Sequence, residues 1–122
     1  MAGEKILVVD DSPTELQLMV EPLINRGYRV ITATNGIEAL EQVAKELPSL
    51  ILLDVLMPGK NGFQVCRQLK NDPATCDIKI IIVSSKNQES DRFWGLKQGA
   101  DEYVAKPFDE EILLNHISAL LG

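Results

Sequence analysis

The sequence predicts an α/β fold in which a parallel sheet carries helices on both faces. Three observations point there. Strand-like and helix-like segments alternate five times, the pattern of successive βα units. The strand segments are unbroken apolar runs such as Leu50-Ile51-Leu52-Leu53, as expected of strands buried on both faces. Acids stand where two of those runs stop: Asp10-Asp11 after Val8-Val9, and Asp54 after Leu53. In open α/β sheets chemistry gathers beyond the C-terminal ends of the strands.

The first strand is read from Lys5 to Val9. Ser12-Pro13-Thr14-Glu15 opens the first helix, with Ser12 as cap, Pro13 at the first helical position and Glu15 completing a capping box. Its apolar face is expected through Leu16, Met19, Val20, Leu23 and Ile24, with a kink or early end at Pro22 and closure at Gly27. Tyr28 to Ala33 is the second strand. Asn35-Gly36 turns into a helix presenting Ile37, Leu40, Val43 and Leu47, stopped by Pro48. The third strand, Leu50 to Leu53, delivers Asp54. A loop over Met57-Pro58-Gly59-Lys60-Asn61-Gly62 precedes a helix bearing Phe63, Cys66 and Leu69, which Asp72-Pro73 ends. Ile78 to Val83 is the fourth strand and leads into Ser84-Ser85-Lys86. A fourth helix is expected from Gln88 to Gln98, a short fifth strand from Asp101 to Ala105, and a last helix burying Leu113, Ile117 and Leu120.

Composition narrows the function classes. With 122 residues, 45% of them hydrophobic and 25% charged, the chain is read as one domain over residues 1–122, with no second domain expected. A net charge of -6 argues against a nucleic-acid binder, which would carry a basic stripe. No apolar stretch approaches the ~20 residues of a membrane span and the N-terminus opens no signal peptide, so a cytoplasmic location is expected. Cys66 and Cys76 lack metal or redox spacing and read as free thiols.

The strand ends converge on one constellation. Asp10 and Asp11 come from the first strand, Asp54 from the third, Ser84 from the fourth and Lys106 from the fifth. An acid cluster with one hydroxyl and one cation suits phosphoryl transfer: a carboxylate attacks phosphorus, a Mg2+ ion neutralises phosphoryl oxygens, and a lysine pairs with the remaining charge. The adjacent acids Asp10 and Asp11 suit a shared metal, whereas the lone Asp54 is free to attack. Leu56, two residues on, could lend its backbone carbonyl to the metal.

These residues resemble the receiver domain of bacterial two-component response regulators over essentially the whole chain. The resemblance rests on Asp10-Asp11, on Asp54-Val55-Leu56-Met57-Pro58 with Asn61-Gly62, on Ser84, on Gly99-Ala100-Asp101 and on Lys106-Pro107. It implies a doubly wound, flavodoxin-like sheet of order 2-1-3-4-5 with five helices. It implies that Asp54 accepts a phosphoryl group from a sensor histidine kinase, and that Asp10, Asp11, Asp54 and the Leu56 carbonyl hold Mg2+. Lys106 would contact the phosphoryl group, Ser84 would swing in to hydrogen-bond it, and Tyr103 would rotate inward as the switch aromatic. The Lys106-Pro107 peptide is then expected to be cis. The output would pass to a downstream protein target through the face of the fourth helix, fifth strand and fifth helix, from a monomer or weak dimer. Leu56 has no polar group to orient a hydrolytic water, so a long-lived phosphoryl group is expected. The runs Asp11-Ser12-Pro13-Thr14-Glu15, Trp94-Gly95 and Gln98-Gly99-Ala100 resemble stand-alone receivers of the twitching-motility type, which serve type IV pilus pathways.

Blander readings stand beside these. Tyr103 could be a packed strand aromatic. His116 reads as a helix-surface histidine rather than a relay phosphohistidine. Trp94 is either a partner anchor or a cover for the sheet edge, and Asn61-Gly62 reads as a turn. A flavin carrier would need a phosphate-cradling loop after the first strand, where this chain puts Asp10-Asp11. An aspartate-nucleophile phosphatase would need an acid at position 56, where Leu56 stands. A degenerate receiver would lack part of the constellation, and no part is missing. The chemistry expected is a transfer onto the protein itself and a slow hydrolysis, not enzymatic turnover.

Overall fold

A computed structural model describes residues 3–122. Five strands, β1 (Lys5–Val9), β2 (Arg29–Ala33), β3 (Leu50–Leu53), β4 (Lys79–Ser84) and β5 (Glu102–Ala105), alternate with five helices. The helices are α1 (Pro13–Asn25), α2 (Gly36–Glu46), α3 (Gly62–Lys70), α4 (Glu89–Lys97) and α5 (Glu110–Leu121). All strand pairs are parallel and the sheet order is β2-β1-β3-β4-β5. The expected doubly wound fold is the one observed.

Alternation along the strands splits the core in two. Leu7, Val9, Ile51, Leu53, Ile80 and Ile82 face one layer with Val43, Val65 and Leu69. Ile6, Val8, Leu50, Leu52, Ile81 and Val83 face the other with Met19, Leu23, Leu113 and Ile117. A side chain buried from every side in this way contributes about 1.5–3 kcal/mol, so the central strands hold the sheet rigid beneath whatever their ends carry.

Several local expectations are corrected. Helix α1 runs on through Pro22 to Asn25, and Pro22 itself is buried. The ring contributes to the apolar face in place of Ile24, which is 58% exposed. The reciprocal half of the α1 capping box is absent: Ser12 Oγ accepts from the Glu15 N–H at 3.4 Å, but the Ser12 N–H donates to Asp10 Oδ1 at 2.9 Å. The Glu15 carboxylate is therefore free for other work. Helix α2 buries Gly36, Ala39 and Val43, while Ile37 and Leu47 lie outside. Gly36 is buried because a Cβ there would stand 2.5 Å from the Lys60 carbonyl oxygen, which rotates the buried stripe toward α3. Leu47 is turned out by its left-handed backbone at the helix end, φ 46°. In α5, Leu114 is buried and Leu120 only half-buried. Asn61 is more than a turn residue, since its side chain and that of Gln64 form a complete capping box on α3. Both cysteines are free, and burial pushes the Cys66 thiol up to about 12. Among the described residues no helix is long and apolar enough to cross a membrane.

Candidate phosphoryl-acceptor site

Neighbouring strand ends assemble the site. Strand β1 pairs with β3 in the register Val9↔Leu53, and the Asp54 N–H donates to the Val9 carbonyl at 3.0 Å. Asp10 and Asp54 thus leave adjacent strands side by side. Carboxylate oxygens of Asp10, Asp11 and Asp54 all lie within 4.8 Å of one another. Asp10 and Asp54 are buried and Asp11 is exposed. On the other side, Ser84 pairs with Ala105, and the Lys106 N–H donates to the Ser84 carbonyl at 2.8 Å. The Lys106-Pro107 peptide is cis.

Lys106 binds the acids together. Its Nζ lies 2.7 Å from Asp10 Oδ2, 2.9 Å from Glu15 Oε1 and 3.5 Å from Asp54 Oδ1. Burial works to lower its pKa, but its bonds to Asp10 and Glu15 and the Asp54 charge raise it on balance, so the ammonium stays charged. One cation cannot neutralise this cluster. Burial raises Asp54 to about 6, with the Asp10 charge adding to the effect and Lys106 opposing it. A buried acid in this state is strained when ionised. In the sequence Glu15 is a capping residue and the end of the Asp11-Ser12-Pro13-Thr14-Glu15 run, and neither signals contact with Lys106, 91 positions away in the chain.

The three clustered carboxylates fit Mg2+ by donor chemistry, being hard anionic oxygens close enough to share one small cation. Leu56 lies in the loop after β3 with its side chain outward, between buried Val55 and Met57. Gly62 closes that loop onto the site: its N–H donates to the Val55 carbonyl at 3.1 Å, and a Cβ on it would collide with the Asp54 carbonyl oxygen. This backbone approach requires glycine.

Ser84 and Tyr103 meet at Lys86. Ser84 is fully buried, and its Oγ accepts from the Lys86 N–H at 3.1 Å. The Tyr103 hydroxyl donates to the Lys86 carbonyl at 2.6 Å. The Tyr103 ring is already inward, 4% exposed, against Gly95 of α4. Burial raises its phenol, opposed by a hydrogen bond with Ser84, so it remains a neutral donor. His116 is a half-exposed helix residue with Nδ1 3.6 Å from Oε2 of Glu102, which opens β5 at the end of the strand opposite Lys106. Trp94 is 50% exposed on α4.

Comparison with known proteins agrees with this geometry. The family described as response regulator receiver domain matches residues 6–118. The chain is 47% identical to Protein PilH of Pseudomonas aeruginosa over 118 residues, which spans 97% of this chain and 98% of that one. A putative response regulator from Chloroflexus aurantiacus superimposes with a TM-score of 0.94 at 33% identity, covering 98% of both chains. The BeF3-activated N-terminal receiver domain of Klebsiella pneumoniae RstA does so with a TM-score of 0.90 at 30% identity, covering 97% of this chain and 98% of that one. Receivers are signalling switches of two-component systems, and this chain belongs to the response regulator receiver domain family.

Proposed function

We propose that the protein is a phosphorylation-controlled switch in which Asp54 accepts a phosphoryl group from the phosphohistidine of a sensor histidine kinase. The single observation that carries this reading is the state of Asp54. It is buried, held near 3.5 Å from one lysine, and pushed up to about 6 beside two further acids. A structural carboxylate would be paired off; this one keeps a nucleophilic oxygen and gains from having its charge redistributed.

A carboxylate oxygen of Asp54 forms the bond to phosphorus as the P–N bond to the donor imidazole breaks, and the electron pair leaves with the imidazole nitrogen. Asp10, Asp11 and Asp54, with the Leu56 carbonyl, are the residues that would hold Mg2+. When bound, the ion supplies charge neutralisation for the phosphoryl oxygens. Lys106 is positioned to pair with a phosphoryl oxygen after releasing Asp54 Oδ1, the longest of its three contacts. Phosphorylation replaces one negative charge by about two and adds three acceptor oxygens. The Ser84 hydroxyl is the donor proposed to respond, and Tyr103 is tied to it through Lys86. Because Tyr103 is inward already, the phosphoryl group would stabilise this arrangement and, through Gly95, the placement of α4 over β5. The readout is then a change in contacts with a downstream protein along α4, β5 and α5.

The full-length likeness to PilH supports a place in twitching-motility signalling. Incubation with acetyl phosphate and Mg2+, followed by intact-mass measurement, tests the proposal. One phosphoryl adduct on wild type and none on Asp54→Ala is the expected result; no adduct on wild type at any Mg2+ concentration overturns it.

A further inference from the structure

Helix α4 presents its large apolar residues outward. Gly95 alone is buried, whereas Phe93, Trp94 and Leu96 are 65%, 50% and 39% exposed. The cause is local: a Cβ at Gly95 would stand 2.7 Å from the Tyr103 ring, so the helix settles on the sheet through backbone and its neighbours point away. The two flanks differ. Toward β5, Arg92 is internally satisfied, donating to the Tyr103 carbonyl at 2.8 Å and to Glu102 at 3.0 Å. Toward α3, Trp94 lines a groove of about 360 Å3 with Arg67, Asn71, Lys97 and Gln98.

The cations of this groove are uncommitted. Lys70, the next cation of α3, is held by Asp101 at 2.9 Å. The Arg67 guanidinium has no ion pair or hydrogen bond among the described residues, and the Lys97 ammonium has only the Phe93 ring, 5.7 Å away. Both stand in the last turns of their helices, where positive charge complements the helix dipole; that accounts for their positions but not for an exposed tryptophan between them. On a chain of net charge -6 this is a local reversal of sign around an aromatic platform.

We propose that the α3–α4 groove docks an acidic segment of a partner protein, with an apolar side chain on Trp94 and carboxylates on Arg67 and Lys97. Aromatic and arginine anchors of this kind dominate protein interfaces. A nucleic acid is disfavoured, since two cations make no stripe and the whole chain repels a polyanion. A second copy would bring like net charge against like.

Trp94 is the single tryptophan of the chain, so its fluorescence reports on this groove alone. A random 12-residue peptide library is panned on the full unphosphorylated protein, making the outcome independent of the role of Asp54. Enriched peptides are expected to be acidic with one large apolar residue, and to shift Trp94 emission saturably. Their affinity, measured by isothermal titration calorimetry so that the tryptophan-free variant can be compared, falls about tenfold or more in Arg67→Glu/Lys97→Glu and is lost in Trp94→Ala. Both variants alter exposed side chains, and circular dichroism confirms their fold. No enrichment, enrichment of neutral or basic sequences, or acidic peptides insensitive to the charge reversal overturns the proposal. So does a saturable shift with a random single-stranded oligonucleotide, or self-association that the charge reversal abolishes.

Discussion

Removing the charge of Asp54 should stabilise the metal-free protein, and the size of the gain follows from the acid cluster. A buried carboxyl moved from 3.8 to about 6 carries at most about 3 kcal/mol of unfavourable energy when ionised. Relaxation of neighbours reduces what a mutant recovers, so Asp54→Asn should gain about 1–3 kcal/mol at neutral pH. The sign is set by the raised pKa. Folded Asp54 holds its proton at a pH where the unfolded chain has lost it, so the cost appears as pH rises through about 4 to 6 and is complete above that. The gain of Asp54→Asn over wild type should be full near pH 7.5, shrink toward about pH 5 and vanish below about pH 4. Urea unfolding of both proteins in EDTA, followed by circular dichroism across that range, measures it. Adding Mg2+ should narrow the gap, because the cation relieves wild type more than the variant. Equal stability at neutral pH in EDTA, or a gain independent of pH, would refute the electrostatic account of the site.

Other perturbations test separate parts. Leu56→Asn supplies a polar group beside the acceptor and should shorten the lifetime of the phosphorylated protein about three- to tenfold; an unchanged decay rate rules out the role given to Leu56. Glu15→Gln keeps an acceptor for Lys106 but removes a negative charge near the entering donor. Acetyl phosphate should then label the protein about two- to fivefold faster at low salt, with the gain lost at high salt, and salt-independent rates would contradict this. Gly62→Ala drives a methyl group into the Asp54 backbone and should cost about 2–3 kcal/mol, while slowing labelling of Asp54. Wild-type stability in that variant would show that the loop can yield.

The sheet and its strand ends were legible because apolar runs of four or five residues can be little else when turn signals bound them. Asp10, Asp11, Asp54, Ser84 and Lys106 are positioned by strand register, which is why a one-dimensional reading brought them to one edge. What escaped depends on side-chain reach or on close backbone approach. Glu15 looked like a cap, yet Asp10 takes the Ser12 N–H and leaves Glu15 for Lys106. Gly62 looked like an ordinary turn, because only the folded loop shows the Asp54 carbonyl against it. The helix faces of α1 and α2 drifted by a residue where Pro22 and Gly36 replaced larger apolar side chains at the contact. For α4 a helical pattern could not place Trp94, since the buried position is a glycine with no hydrophobic signal at all.

The claim at the centre is that Asp54, and not its neighbours, forms the bond to phosphorus. Borohydride reduction of protein treated with acetyl phosphate and Mg2+ converts an aspartyl phosphate to homoserine, which peptide mass spectrometry assigns to a residue. Homoserine at position 54 alone is the predicted result; homoserine at Asp10 or Asp11, or none in protein that has taken up phosphate, would contradict it.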